Sequence, residues 1–145
     1  MKNKIFSVLL GAGSLLTSCQ NSATVNKSSK KVRLPVPGTI IDSLSSPVTE
    51  DKLNHFFCSV KIIADSNIAA GVYDIDADYG PNFAEGKLTM PKGAENSRLL
   101  VRKGTIPCSF IIGFRIPDDT TFYDYFEVDF SKTATKMQYI KAYTF

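Results

Sequence analysis

The sequence predicts an all-β domain, a small antiparallel β-sandwich of about seven strands, with a small β-barrel as the alternative closure. Three observations carry this expectation. Short runs rich in β-branched and aromatic residues recur from residue 55 onward, with Gly, Pro and Asp between them. Several of these runs alternate apolar and polar residues, as a strand with one buried face does. No segment of the same region keeps a helical repeat for more than two turns.

The elements follow in order. Prolines at 35, 37 and 47 make the lead-in irregular. It reads as a short edge strand over 36–41, followed by a helical turn near Asp51 capped by Ser46-Pro47. In the first clear strand, 55–63, Phe56, Cys58, Val60 and Ile62 share one face and Ser59 and Lys61 the other. Runs over 72–79 and 83–90 come next, then the turn Pro91-Lys92-Gly93. A fourth run spans 98–103. The fifth, 108–116, places Cys108, Phe110, Ile112, Phe114 and Ile116 on one face. Pro117-Asp118-Asp119 is a turn, and runs over 122–130 and 137–145 complete the set.

The N-terminus has a different character. MKNKIFSVLLGAGSLLTSCQ opens with Lys2 and Lys4, continues as an apolar run over 5–16 and ends in small residues. That is the layout of a secretory signal peptide, and the run is too short to span a bilayer as a helix. Leu16-Thr17-Ser18-Cys19 resembles the lipobox of bacterial lipoproteins. The resemblance implies that residues 1–18 are removed and that the Cys19 thiol carries diacylglycerol. Two acyl chains hold a protein firmly on a membrane where one does not. Gln20 stands where an aspartate tends to retain enteric lipoproteins in the inner membrane, and no acidic run follows the cysteine. The resemblance therefore implies the cell envelope, at the outer membrane, facing the periplasm.

Residues 19–36 read as a lipidated, flexible and basic tether, and 37–145 as a single β-sandwich domain. Lys27, Lys30, Lys31 and Arg33 are the tether's charges, placed to meet anionic head groups or simply to keep a linker soluble. Six of the chain's 17 basic residues precede residue 34, leaving 11 against 14 acids and a net charge of −3 for the rest. That balance argues against nucleic acid as a partner.

With Cys19 lipidated, Cys58 and Cys108 are the remaining cysteines. In an oxidising compartment they are candidates for a disulfide, with two buried thiols as the alternative. Two cysteines about fifty residues apart resemble those of immunoglobulin-like domains. The likeness ends there, because the chain has no tryptophan and Ile106 stands at the tyrosine-corner position.

YDIDADYGPNFAE, residues 73–85, raises the question of a cation site. Asp74, Asp76, Asp78, Asn82 and Glu85 match ligand positions of an EF-hand calcium loop. Tyr79 occupies the place that needs glycine, Gly80 comes one residue late, and the flanks are not helical. A strand with its acids toward solvent, turning at Gly80-Pro81-Asn82, accounts for more of the pattern. No metal or other cofactor is expected.

Catalytic constellations are poorly supplied. His55 is the single histidine and would face away from Cys58 on a strand. No phosphate-cradling glycine loop is present beyond the leader. In FYDYFEVDF, Phe122, Phe126, Val128 and Phe130 read as the buried face and Tyr123, Tyr125, Glu127 and Asp129 as the other, which is either a binding face or a face whose tyrosines pack under a neighbouring loop or in a two-sided strand. Asp124 falls on the apolar side and needs a partner such as Arg115 or a backbone donor.

The expected function is that of a membrane-anchored, non-catalytic lipoprotein that binds a protein or envelope component. The alternatives are an immunity protein neutralising a toxin delivered to the periplasm, and an envelope hydrolase.

Overall fold

The computed structural model describes residues 33–48, 56–130 and 134–145. The leader, Cys19, the tether to residue 32, Asp51 and His55 lie outside the described residues. The chain forms eight strands: β1 (Ile40–Pro47), β2 (Phe57–Ala64), β3 (Val72–Tyr79), β4 (Asn82–Thr89), β5 (Arg98–Lys103), β6 (Ser109–Arg115), β7 (Tyr123–Asp129) and β8 (Lys136–Tyr139). They build two four-stranded antiparallel sheets, β1-β2-β3-β4 and β5-β6-β7-β8. Each sheet is a meander of consecutive strands, so the first is complete before the second begins. Ladders run only within each sheet, and the sandwich, not the barrel, is the architecture.

The inner faces follow the alternation. Val60, Ile62, Ile75, Ala77 and Leu88 of the first sheet meet Phe110, Ile112, Phe114, Phe126 and Val128 of the second, in one continuous apolar cluster. Each such side chain contributes about 1.5–3 kcal/mol by leaving water.

Side chains tie the sheets together at both sides. The Val101 N–H of β5 donates to the Asp42 carboxylate of β1 at 2.7 Å. On the other side, the Thr89 N–H donates to the Tyr139 hydroxyl at 2.9 Å, and the Tyr125 hydroxyl donates to the Thr89 carbonyl at 2.8 Å. These contacts occupy edge groups that would otherwise invite further strands. Cys58 on β2 is bonded to Cys108, their Cα atoms 5.8 Å apart, which joins the two sheets covalently. Cys108 precedes β6 instead of starting it, with φ of 53°. Its carbonyl accepts the Phe130 N–H at 3.1 Å.

Six of the expected strands recur within two residues of their expected ends. The lead-in differs. Pro37-Gly38 forms a turn, with Gly38 at φ 84° and the Thr39 N–H donating to the Val36 carbonyl at 3.0 Å. The strand therefore begins at Ile40 and runs through Ser46 and Pro47, which were expected to cap a helical turn. Proline is tolerated there because β1 pairs only with β2 and leaves one edge unladdered. The last strand ends at Tyr139, and the segment beyond packs through its rings: Tyr143 and Phe145 lie 5.5 and 5.9 Å from the Phe114 ring.

Candidate functional site

The Gly80-Pro81 turn determines what stands on the outer face of the first sheet. Gly80 has φ of 54°, and Tyr79 pairs directly with Asn82, the glycine-first pattern of a two-residue hairpin. Partners then step outward symmetrically: Asp78 faces Phe83, Asp76 faces Glu85 and Asp74 faces Lys87. Strand β2 adds Ser59 beside Asp78, Lys61 beside Asp76 and Ile63 beside Asp74.

The contacts on this face are unequal. Lys61 Nζ lies 3.5 Å from the Asp78 carboxylate, which also accepts the Ser59 hydroxyl at 3.3 Å. Lys87 Nζ lies 2.7 Å from Asp74 and also bonds Asp65, at the end of β2. Asp65 accepts the Asn67 N–H at 2.7 Å and the Ser66 hydroxyl at 3.1 Å, which bends the chain into the 3₁₀ turn Ile68–Ala70. The Lys87 ammonium, then the Asn67 N–H, hold the Asp65 carboxyl far below the usual carboxylate range. In turn Asp65, then Asp74, hold the Lys87 ammonium above its ordinary range.

The Asp76 and Glu85 side chains have no hydrogen-bond or ion-pair partner among the described residues. They stand opposite each other, so their charges repel. They line an open depression of about 460 Å³ with Ile63, Asp74, Gly86 and Lys87. Phe57 and Phe83, 54% and 55% exposed, stand at the hairpin end of the same face. The arrangement suits capture of a cationic group beside apolar surface.

The calcium-loop candidates are therefore strand residues. Asp74 and Asp78 are four residues apart on β3, about 13 Å at the usual strand rise, too far to ligate one ion. Among the described residues no three His, Cys, Asp or Glu side chains converge to hold a metal.

The expected tyrosine face does not form. Ile112 pairs with Phe126 but Gly113 pairs with Asp124, so Tyr125 is the extra residue of a β-bulge. The bulge reverses the facing of the residues before it. Tyr123 stacks on Phe114 at 5.4 Å, and Tyr125 is buried edge-on to the same ring at 5.7 Å. Asp124 consequently faces outward and pairs with Arg102 instead of Arg115, at 2.6 Å. Glu127 accepts the Gln138 amide at 3.0 Å, and Asp129 sits opposite Lys136. The four residues are split between the interior and the outer surface of the second sheet.

Lys61, Lys87, Phe57 and Phe83 were not singled out from the sequence. The two-residue hairpin at Gly80-Pro81 was the available signal, because it pins each partner across β3 and β4. Comparison with known proteins finds no matching family model, no matching curated protein and no matching solved structure. No helix among the described residues is long and apolar enough to cross a membrane.

Proposed function

We propose that this chain is a lipid-anchored, non-catalytic protein of the bacterial cell envelope, held at the outer membrane and facing the periplasm. Its β-sandwich binds a basic protein through the outer face of the first sheet. The observation that carries this reading is the pair Asp76 and Glu85, opposed without an ion-pair contact in an open depression. Like charges directly opposed in a sheet are destabilising, and an arriving lysine or arginine relieves that repulsion. Phe57 and Phe83 supply exposed aromatic surface of the kind that anchors interfaces. The leader and Leu16-Thr17-Ser18-Cys19 support the anchor, and one histidine in 145 residues supports a non-catalytic reading. An immunity role is the special case in which the basic partner is a toxin delivered to the periplasm.

The test is affinity capture from envelope extracts with the native lipidated protein, run beside the doubly neutralised variant Asp76→Asn/Glu85→Gln. Basic proteins retained by the wild type and lost by the variant are the expected result. Equal retention by both, or none by either, defeats the reading.

A further inference from the structure

We propose that a second site, a cleft between the lead-in segment and the β4–β5 connection, binds a small anion with an apolar middle and a polar far end. The cleft holds about 220 Å³ and is walled by Leu34, Pro35, Ile41 and Leu99. Two hydroxyl-bearing side chains also line it, Tyr73 on the inner face of β3 and Ser97 just before β5. They are 6% and 8% exposed. The Ser97 hydroxyl is buried without a hydrogen-bond partner; the Tyr73 hydroxyl makes no hydrogen bond among the described residues either, but its oxygen still reaches solvent.

Three other tyrosines behave differently. Tyr123, Tyr125 and Tyr143 each donate a hydroxyl hydrogen bond, to Asp119, to the Thr89 carbonyl and to the Asp124 carbonyl. A buried hydroxyl without a partner is disfavoured, and the one at Ser97, on the wall of this cleft, marks a place where something else supplies the partner. The mouth has the opposite character. Arg33 and Arg98 are exposed there, and neither has a partner among the described residues. Glu95, the acid beside them, has both carboxylate oxygens 3.0 Å from the Gly93 N–H and is already engaged. Guanidinium forks at the mouth match a carboxylate, apolar walls match a ring or short chain, and the Ser97 and Tyr73 hydroxyls match a hydroxyl or carbonyl at the far end. At about 30 Å³ per water the volume equals roughly seven waters, so the occupant has on the order of ten non-hydrogen atoms. None of these residues belongs to the Asp76–Glu85 depression, and the two sites stand or fall separately.

The test is an NMR titration of the full-length chain with three probes: 4-hydroxybenzoate, benzoate and the neutral 4-hydroxybenzyl alcohol. With 4-hydroxybenzoate, the amide signals of Ile41, Tyr73, Ser97 and Leu99 should shift and saturate with a Kd below about 1 mM. Tyr73→Phe and Ser97→Ala should each weaken that probe roughly fivefold and leave benzoate unchanged. Arg98→Gln should weaken both acids by a similar factor and spare the alcohol. Ser97→Ala should melt no lower than wild type, because it removes a buried, unpartnered group. The proposal is overturned if no signal at those residues moves at about 10 mM probe. It is equally overturned if both hydroxyl variants bind 4-hydroxybenzoate as wild type does, the hydroxyls then serving bound water alone, or if Arg98→Gln binds both acids undiminished.

Discussion

Lys87 of β4 grips the carboxylate of Asp65, a residue 6% exposed at the end of β2, and shares its ammonium with Asp74 on the open face. One lysine thus links the turn after β2 to the β3–β4 hairpin. The buried carboxylate is fully served: Lys87, Asn67 and Ser66 all donate to it. Removing Lys87 leaves that carboxylate with two weaker donors and no countercharge.

Acid should therefore weaken the fold through Asp65. Its folded pKa lies below the unfolded value near 3.8, so the stability it contributes is fully present above that value and is lost as pH falls beneath it. Urea denaturation between pH 2 and 6, an interval chosen to bracket that value, should show stability falling on the acid side. Asp65→Asn should flatten that limb by up to one proton's worth of slope. An acid limb unchanged in the variant would show that other carboxylates govern it.

Opposed carboxylates on the binding face predict a trade between stability and binding. Glu85→Lys turns a repelling cross-strand pair with Asp76 into an attracting one, worth about 0.2–1 kcal/mol. The variant should melt slightly higher than wild type and lose the basic partner. A lower melting point would mean that the repulsion is already screened by solvent and ions.

These cases show what was legible in the sequence. Single-phase alternation was readable wherever a strand kept one facing from end to end, as in β2 with Cys58, Val60 and Ile62 inward. FYDYFEVDF was different. Its aromatic residues fill both phases, so period-two reasoning had no way to place the bulge at Tyr125, and the inward tyrosines read as outward. The clasp from Asp42 to Val101 joins residues 59 apart and left no local mark. Lys87 was hidden for a different reason. Its partner Asp74 follows from the hairpin register, while Asp65 reaches it only because β2 ends beside β3. The missing hydrogen bonds of Tyr73 and Ser97 are invisible without coordinates, since a hydroxyl's partner is a matter of position and not of residue type.

The cross-link between the sheets makes a two-part prediction. Cys58→Ala/Cys108→Ala opens a loop of about 50 residues and should cost about 4 kcal/mol in the chain-entropy model. Cys108 has φ of 53°, a conformation glycine adopts freely and other L-residues do not. Cys58→Ala/Cys108→Gly should therefore be about 1 kcal/mol more stable than the double alanine variant. Thermal melts of the two variants side by side check this. Equal stability would mean that the turn relaxes out of its left-handed conformation once the sulfur bond is gone.

Gly113 makes the sharpest packing prediction. It faces outward on β6 beside the Tyr125 bulge, and the Phe122 ring lies against it with Arg102 5.2 Å above the ring centroid. A Cβ there would stand 2.5 Å from the ring and inside contact distance of the Tyr123 carbonyl. The ring is the end of a side chain that can turn about its own bonds, but the carbonyl belongs to the strand itself. Gly113→Ala should cost about 1–3 kcal/mol, and Phe122→Ala in the same chain should recover only part of it. Gly86 is the control. A Cβ at Gly86 would meet the Met137 sulfur at 2.5 Å, the end of a flexible side chain that can turn aside. Gly86→Ala should cost clearly less. If the two glycine variants melt alike, or if Phe122→Ala restores Gly113→Ala completely, then the ring and not the strand backbone sets the limit at Gly113.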